Sequence, residues 1–62
     1  MSSRCIGLSH VEAHWLLLKN GFRLTASQFN GSVVFNEYQK GDFVVILLID
    51  GKSLAVRDAV GD

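Results

Sequence analysis

The segment Phe43-Val44-Val45-Ile46-Leu47-Leu48-Ile49 decides how this chain folds, because it is the longest apolar run in the sequence. It is far shorter than the roughly 20 residues that a membrane-spanning helix requires. A short apolar run bounded by turn residues is typical of a β-strand that is buried on both faces. We therefore expect a strand at residues 42–49 with no solvated side.

The sequence around this strand predicts an antiparallel meander of three to four strands. Alternation of apolar and polar side chains indicates strands, and glycine-containing turn signals separate them. The turns are expected at Asn30-Gly31, at a three-residue loop over 39–41 and at Asp50-Gly51, with a frayed tail at 58–62. The predicted strands are residues 22–29, 32–38, 42–49 and 52–57.

One helix is expected before the strands, at residues 10–20. Ser9 and Glu12 have the spacing of a capping box, and Asn20-Gly21 is typical of a helix C-terminus. A period of 3.6 residues predicts a sheet-facing stripe and leaves Leu16 on the polar side. The predicted stripe consists of Val11, His14, Trp15 and Leu18.

Length and charge restrict the class of protein. The chain has 62 residues, of which 48% are hydrophobic, and six Lys or Arg balance six Asp or Glu. These values predict one small folded domain, with an N-terminal arm at 1–8, the helix within 9–21 and the sheet within 22–57. A formal net charge of zero is not typical of a nucleic-acid binder. One Cys and no recognisable signal peptide favour the cytoplasm.

The predicted sheet carries more apolar surface than one helix can cover. Val44, Ile46 and Leu48 are expected at the centre of a second apolar face. Leu16 is a weaker contact candidate. With a two- or four-residue loop instead of three, the faces of the third strand exchange, but one apolar side still remains. Either the arm, with Ile6 and Leu8, covers that side, or one strand is misassigned, or a protein partner covers it. The residues expected around the centre are Val34, Phe29 and Tyr38.

No set of residues in the sequence indicates catalysis. His10 and His14 are four residues apart on the helix, but two imidazoles and Cys5 do not match a metal-ligand pattern. We expect neither a metal nor a cofactor, and no enzymatic activity. Arg23 and Arg57, together with Phe29 and Tyr38, are the residues that a nucleic-acid stacking platform would use.

Part of the chain resembles the HicA-type toxins of toxin-antitoxin pairs. The resemblance covers Leu16 to Leu48, through Leu-Leu-Leu-Lys-Asn-Gly-Phe and then Gly-Ser-Val-Val-Phe. It implies a double-stranded-RNA-binding-like αβββα fold and a habit of pairing with a small protein. That family cuts mRNA with a histidine after Gly-Ser. Val33 stands at this position here, so the resemblance does not imply nuclease activity.

These patterns together predict an α+β fold, with one N-terminal helix packed on a three- to four-stranded antiparallel meander. The predicted function is a non-catalytic protein-interaction module that forms a homodimer or binds a larger protein, for example as a small phage-type inhibitor or adaptor. The alternative is a nucleic-acid-binding module of the double-stranded-RNA-binding-like type, without nuclease activity.

Overall fold

The structure, a computed structural model, describes residues 2–61 and confirms the α+β class. The described chain contains one α-helix and one four-stranded antiparallel sheet with the strand order β1-β2-β3-β4. No helix in this part of the chain is long and apolar enough to cross a membrane. The elements are a 3₁₀ helix at Ser2–Cys5, α1 at His10–Lys19, β1 at Arg23–Asn30, β2 at Val33–Lys40, β3 at Phe43–Asp50 and β4 at Val56–Gly61.

Both ends of α1 form as the sequence predicts. The hydroxyl of Ser9 accepts the N–H of Glu12 at 3.1 Å, and the Glu12 carboxylate accepts the N–H of Ser9 at 3.2 Å. This capping box satisfies two free backbone donors. At the other end the N–H of Phe22 donates to the carbonyl of Leu17 at 3.0 Å. Gly21, with φ of +91°, permits this Schellman ending.

The buried face of α1 matches the predicted stripe only in part, since Leu18 packs against the core and His14 is half-buried. Ala13 and Leu17 are buried, whereas Val11 and Trp15 are exposed. The predicted polar-side position of Leu16 is also wrong, because Leu16 is half-buried and packs against the core. Apolar residues occur all around this helix, so its period alone does not define the inward side.

The β2–β3 loop has two residues rather than the predicted three. Lys40 lies opposite Phe43, so the loop is Gly41-Asp42, with Gly41 at φ of +58°. Tyr38 consequently lies opposite Val45, on the helix side of the sheet. The shorter loop therefore turns β2 over relative to the prediction, while β3 keeps Val44, Ile46 and Leu48 on the outward face.

The β1–β2 hairpin is also shifted from its expected position. Asn30 lies opposite Val33, so the loop is Gly31-Ser32 instead of Asn30-Gly31. Farther from the loop, β1 contains a β-bulge in which Thr25 is the extra residue. The hairpin therefore begins one residue later in the sequence than the turn signal indicates.

The last strand lies later in the chain than predicted. Residues 56–61 form β4, so most of the expected tail is strand, and residues 51–55 are the connection. Asp50 organises this connection, because its carboxylate accepts the N–H groups of Lys52 and Ser53. These side-chain-to-backbone hydrogen bonds hold a longer connection in place of the two-residue turn that Asp50-Gly51 suggested.

The core and the N-terminal arm lie on the same side of the sheet. The carbonyl of Val56 accepts the N–H of Gly7 at 2.9 Å, and the N–H of Val56 donates to Leu8 at 2.8 Å. The 3₁₀ helix before them contacts β4, β3 and α1. The buried hydrophobic cluster consists of Cys5, Ala13, Leu17, Phe22, Tyr38, Val45, Leu47, Ile49 and Val56.

Candidate protein-interaction surface

The face of the sheet opposite α1 carries an uncovered apolar patch. Register places its members together, because residues directly opposite each other in an antiparallel ladder share a face. Leu48 lies opposite Phe35, and Ile46 lies between Glu37 and Val60. We call this set the outer patch, and it comprises Phe35, Val44, Ile46, Leu48 and Val60.

The outer patch is accessible to a partner. Val60 is 56% exposed and Val44 is 37% exposed, while Phe35, Ile46 and Leu48 are half-buried by their neighbours. Residues 2–8 of the N-terminal arm do not cover it, because Cys5 belongs to the cluster on the helix side. The arm therefore packs on the helix side of the sheet and not on the outer patch.

Polar side chains surround the outer patch. Gln28 lies opposite Phe35, Glu37 opposite Ile46, and Asp58 opposite Leu48. An open depression of about 360 Å³ lies within this arrangement, lined by Ala26, Gln28, Phe35, Glu37 and Ile46. An apolar centre with a polar border is the composition of protein contact surfaces.

Three of the residues expected around this patch lie on the opposite face. Val34 is paired with Ile49, and Tyr38 with Val45, so both side chains are on the helix side. Phe29 lies opposite Val34 and shares that side. The cause is the two-residue β2–β3 loop. Phe35, by contrast, shares the outward face with Leu48.

Tyr38 is a core residue whose hydroxyl contacts His14. Its side chain is fully buried, and its hydroxyl lies 2.8 Å from Nδ1 of His14. Burial is the main cause of a raised pKa for Tyr38, so the phenol stays protonated at neutral pH. His14 is half-buried beside Trp15, with 5.5 Å between ring centroids.

The residues considered for metal binding are not assembled into a site. Among residues 2–61 no group of three His, Cys, Asp or Glu side chains is placed to hold a metal ion. Cys5 is fully buried, and burial raises the pKa of its thiol. A buried, protonated thiol is a poor nucleophile.

The nucleic-acid platform is not assembled either. Arg23 begins β1 and Arg57 is the extra residue of a bulge near the start of β4. Because β1 and β4 are the two edge strands and run in opposite directions, Arg23 and Arg57 lie at diagonal corners of the sheet. Phe29 and Tyr38 are on the helix side, and Tyr38 is buried.

The HicA-type resemblance stays a prediction. Val33, which follows Gly31-Ser32, is half-buried on β2. Residues 56–61 form a strand, whereas the αβββα order implies a closing helix. Comparisons with protein-family models, with curated proteins and with solved structures gave no match to this chain.

Proposed function

We propose that this chain is a non-catalytic protein-interaction module that binds another protein through the outer patch. The observation that carries the proposal is that the described part of the chain leaves the outer patch uncovered, while Cys5 of the N-terminal arm packs on the other face. Complete burial of an exposed apolar side chain contributes about 1.5–3 kcal/mol, and Ile46, Leu48 and Phe35, which are already half-buried, would each gain about half of that on binding. That gain is available only from a partner.

A second copy of the chain is the occupant that the observations favour. The molecule extends 30 × 19 × 15 Å, so its broad face offers on the order of 500 Å². Two such faces bury on the order of 1,000 Å² together, which is the lower bound for a specific interface. A formal net charge of zero also means that two copies do not repel each other over long range.

The first experiment measures molar mass by light scattering over a concentration series. Self-association predicts a mass that rises with concentration, and Ile46→Asp should lower that mass by placing a charge in the contact. Val60→Asp is the milder second variant, because Val60 is more than half exposed. Val11→Asp is the matched control, since Val11 is also a valine, is similarly exposed and lies on α1.

The outcome separates the possible occupants. A wild-type chain that stays monomeric throughout the series contradicts self-association through the outer patch. The inhibitor or adaptor role then requires a larger protein whose binding is lost in Ile46→Asp and kept in Val11→Asp. Binding that is insensitive to both patch variants would contradict the proposed surface itself.

The nucleic-acid alternative stays a prediction without a supporting observation. Its test is a titration with duplex RNA and with single strands at two salt concentrations. Phosphate contacts predict an affinity that falls steeply with salt. Arg23→Ala and Arg57→Ala should each weaken such binding, if it occurs, and neither should affect association through the outer patch.

A further inference from the structure

The two edge strands of the sheet, β1 and β4, differ in whether other segments of the chain hydrogen-bond to their outward edges. The edge of β4 is occupied at its start, where Gly7 and Leu8 exchange hydrogen bonds with Val56. At its end the hydroxyl of Ser2 donates to the carbonyl of Gly61 at 2.6 Å. By contrast, β1 has a neighbour on one side only within residues 2–61, and all eight of its residues are exposed.

The second half of β1 lacks the usual protection of an edge strand. Natural proteins protect free edges with charges, prolines, bulges or a covering segment. On β1 the charge of Arg23 and the bulge at Thr25 both fall in the first half. The segment Ala26–Asn30 contains no charged residue and no proline, and its register with β2 is regular.

Hairpin geometry identifies which backbone groups of this segment are free. In a two-residue hairpin the residues that close the loop, here Asn30 and Val33, exchange both of their hydrogen bonds. Backbone direction alternates along a strand, so Gln28 also points toward β2. Ser27 and Phe29 therefore direct their N–H and C=O groups to the open edge.

We propose that β1 pairs antiparallel with β1 of a second copy, about a two-fold axis at Gln28. This register places Ser27 opposite Phe29 of the partner chain and uses the free backbone groups of both residues. The two copies are equivalent, so one segment supplies both sides of the contact. No charges oppose each other within it.

The exposed aromatic ring beside this edge supports the same register. Phe29 is 68% exposed, the largest exposed fraction among the described large hydrophobic side chains. In the paired strands the two Phe29 rings become diagonal neighbours on the helix side, a separation that aromatic side chains can bridge. Edge pairing thus covers apolar surface that the isolated chain leaves in water.

Edge pairing and the proposed function use different surfaces and are compatible. A two-fold axis perpendicular to the sheet leaves both outer patches on the same side of a continuous eight-stranded sheet. Two such pairs can stack through those patches in a closed assembly of four chains. The edge contact does not depend on the outer patch.

The test combines molar mass with a substitution that removes one free donor. Ser27→Pro deletes the outward N–H, which an isolated edge strand tolerates. We expect it to halve the number of chains in the assembly. Ser27→Ala is the matched control, because it also loses the hydroxyl contact with Asn36 but keeps the N–H. Circular dichroism checks that both variants fold.

Comparison with Ile46→Asp separates the two proposals. If only edge pairing is wrong, Ser27→Pro leaves the mass unchanged and Ile46→Asp lowers it. If only the outer-patch contact is wrong, Ile46→Asp leaves the mass unchanged and Ser27→Pro lowers it. With both contacts present, each single variant gives two chains and the double variant gives one.

A disulfide reports the register directly. In the proposed pairing Gln28 lies opposite Gln28 of the partner subunit, in a non-hydrogen-bonded pair. Cα atoms in such a pair are about 4.5 Å apart, which is within the range of a disulfide. Gln28→Cys should therefore form a covalent dimer under mild oxidation, in the Ile46→Asp background as well. Ala26→Cys should not, because position 26 faces position 30. Equal cross-linking of the two variants, or none in either, overturns the proposal.

Discussion

Tyr38 lies directly opposite Val45 in the β2–β3 ladder, and both side chains are fully buried. This pair fixes which side of the sheet is the core. Because Val45 and Tyr38 share the helix side, Val44 and Ile46 must point outward. The position of the outer patch follows from this one relationship.

The adjacent residues Leu47 and Leu48 test this face assignment with one chemical change. Leu47 is fully buried, so Leu47→Ala should cost about 2–5 kcal/mol of unfolding free energy. Leu48 is half-buried on the outer face, so Leu48→Ala should cost about 1 kcal/mol. Urea unfolding at low protein concentration gives both values. Equal losses would contradict the assignment of opposite faces.

The contact between His14 and Tyr38 should contribute to stability. Tyr38→Phe keeps the buried ring and removes the hydroxyl, which lies 2.8 Å from Nδ1 of His14. We expect a loss of about 1 kcal/mol. His14→Ala and the double variant complete a thermodynamic cycle, in which additive losses would show that the two side chains do not interact.

Gly61 and Gly7 provide a matched pair for the close approach of β4 to β3. Both have positive φ, of +96° and +90°, so alanine strains the backbone similarly at each. A Cβ at Gly61 would collide with the carbonyl oxygen of Val44, whereas a Cβ at Gly7 meets open space. Thermal unfolding should show a larger loss for Gly61→Ala. The reverse order would contradict the pairing at the end of β4.

Acid should remove a stabilising contribution from Asp50. The N–H groups of Ser53 and Lys52, hydrogen-bonded to its carboxylate, lower the pKa of Asp50 below its ordinary value of 3.8. Its contribution to stability is present above the ordinary pKa and is lost as the pH falls through the lower folded-state pKa. Asp50→Asn keeps an acceptor oxygen but does not titrate.

Unfolding free energies measured between about pH 5 and about pH 2 should therefore decline less steeply for Asp50→Asn than for the wild type. Asp42→Asn removes the same unit of charge and is the control for net charge. An identical acid profile for Asp50→Asn and the wild type would show that the two hydrogen bonds do not favour the ionised carboxyl.

Much of the local structure could be predicted from the sequence. Ser9 with Glu12, and Asn20 with Gly21, fix the ends of α1 because capping depends on residues within one turn. The apolar run of β3 likewise indicated that a single helix could not cover both of its faces. Contacts between neighbours in the chain decide such features.

The composition of the candidate surface was only partly predictable. Val44, Ile46 and Leu48 share a face because they alternate along one strand, whatever loop precedes it. The outward position of Phe35 and the burial of Tyr38 both depend on how β2 aligns with β3. One residue in loop length moves every side chain to the other face, and Gly41 permits turns of either length.

By itself, the sequence determined one capped helix, a run of strands and an excess of apolar side chains on β3. These depend on backbone preferences and on periodicity, which act over a few residues. Only the tertiary structure decided that the arm covers the helix side, that Tyr38 is buried and that β1 keeps an open edge. Those outcomes depend on which distant segments pack together, since burial is a property of the whole fold.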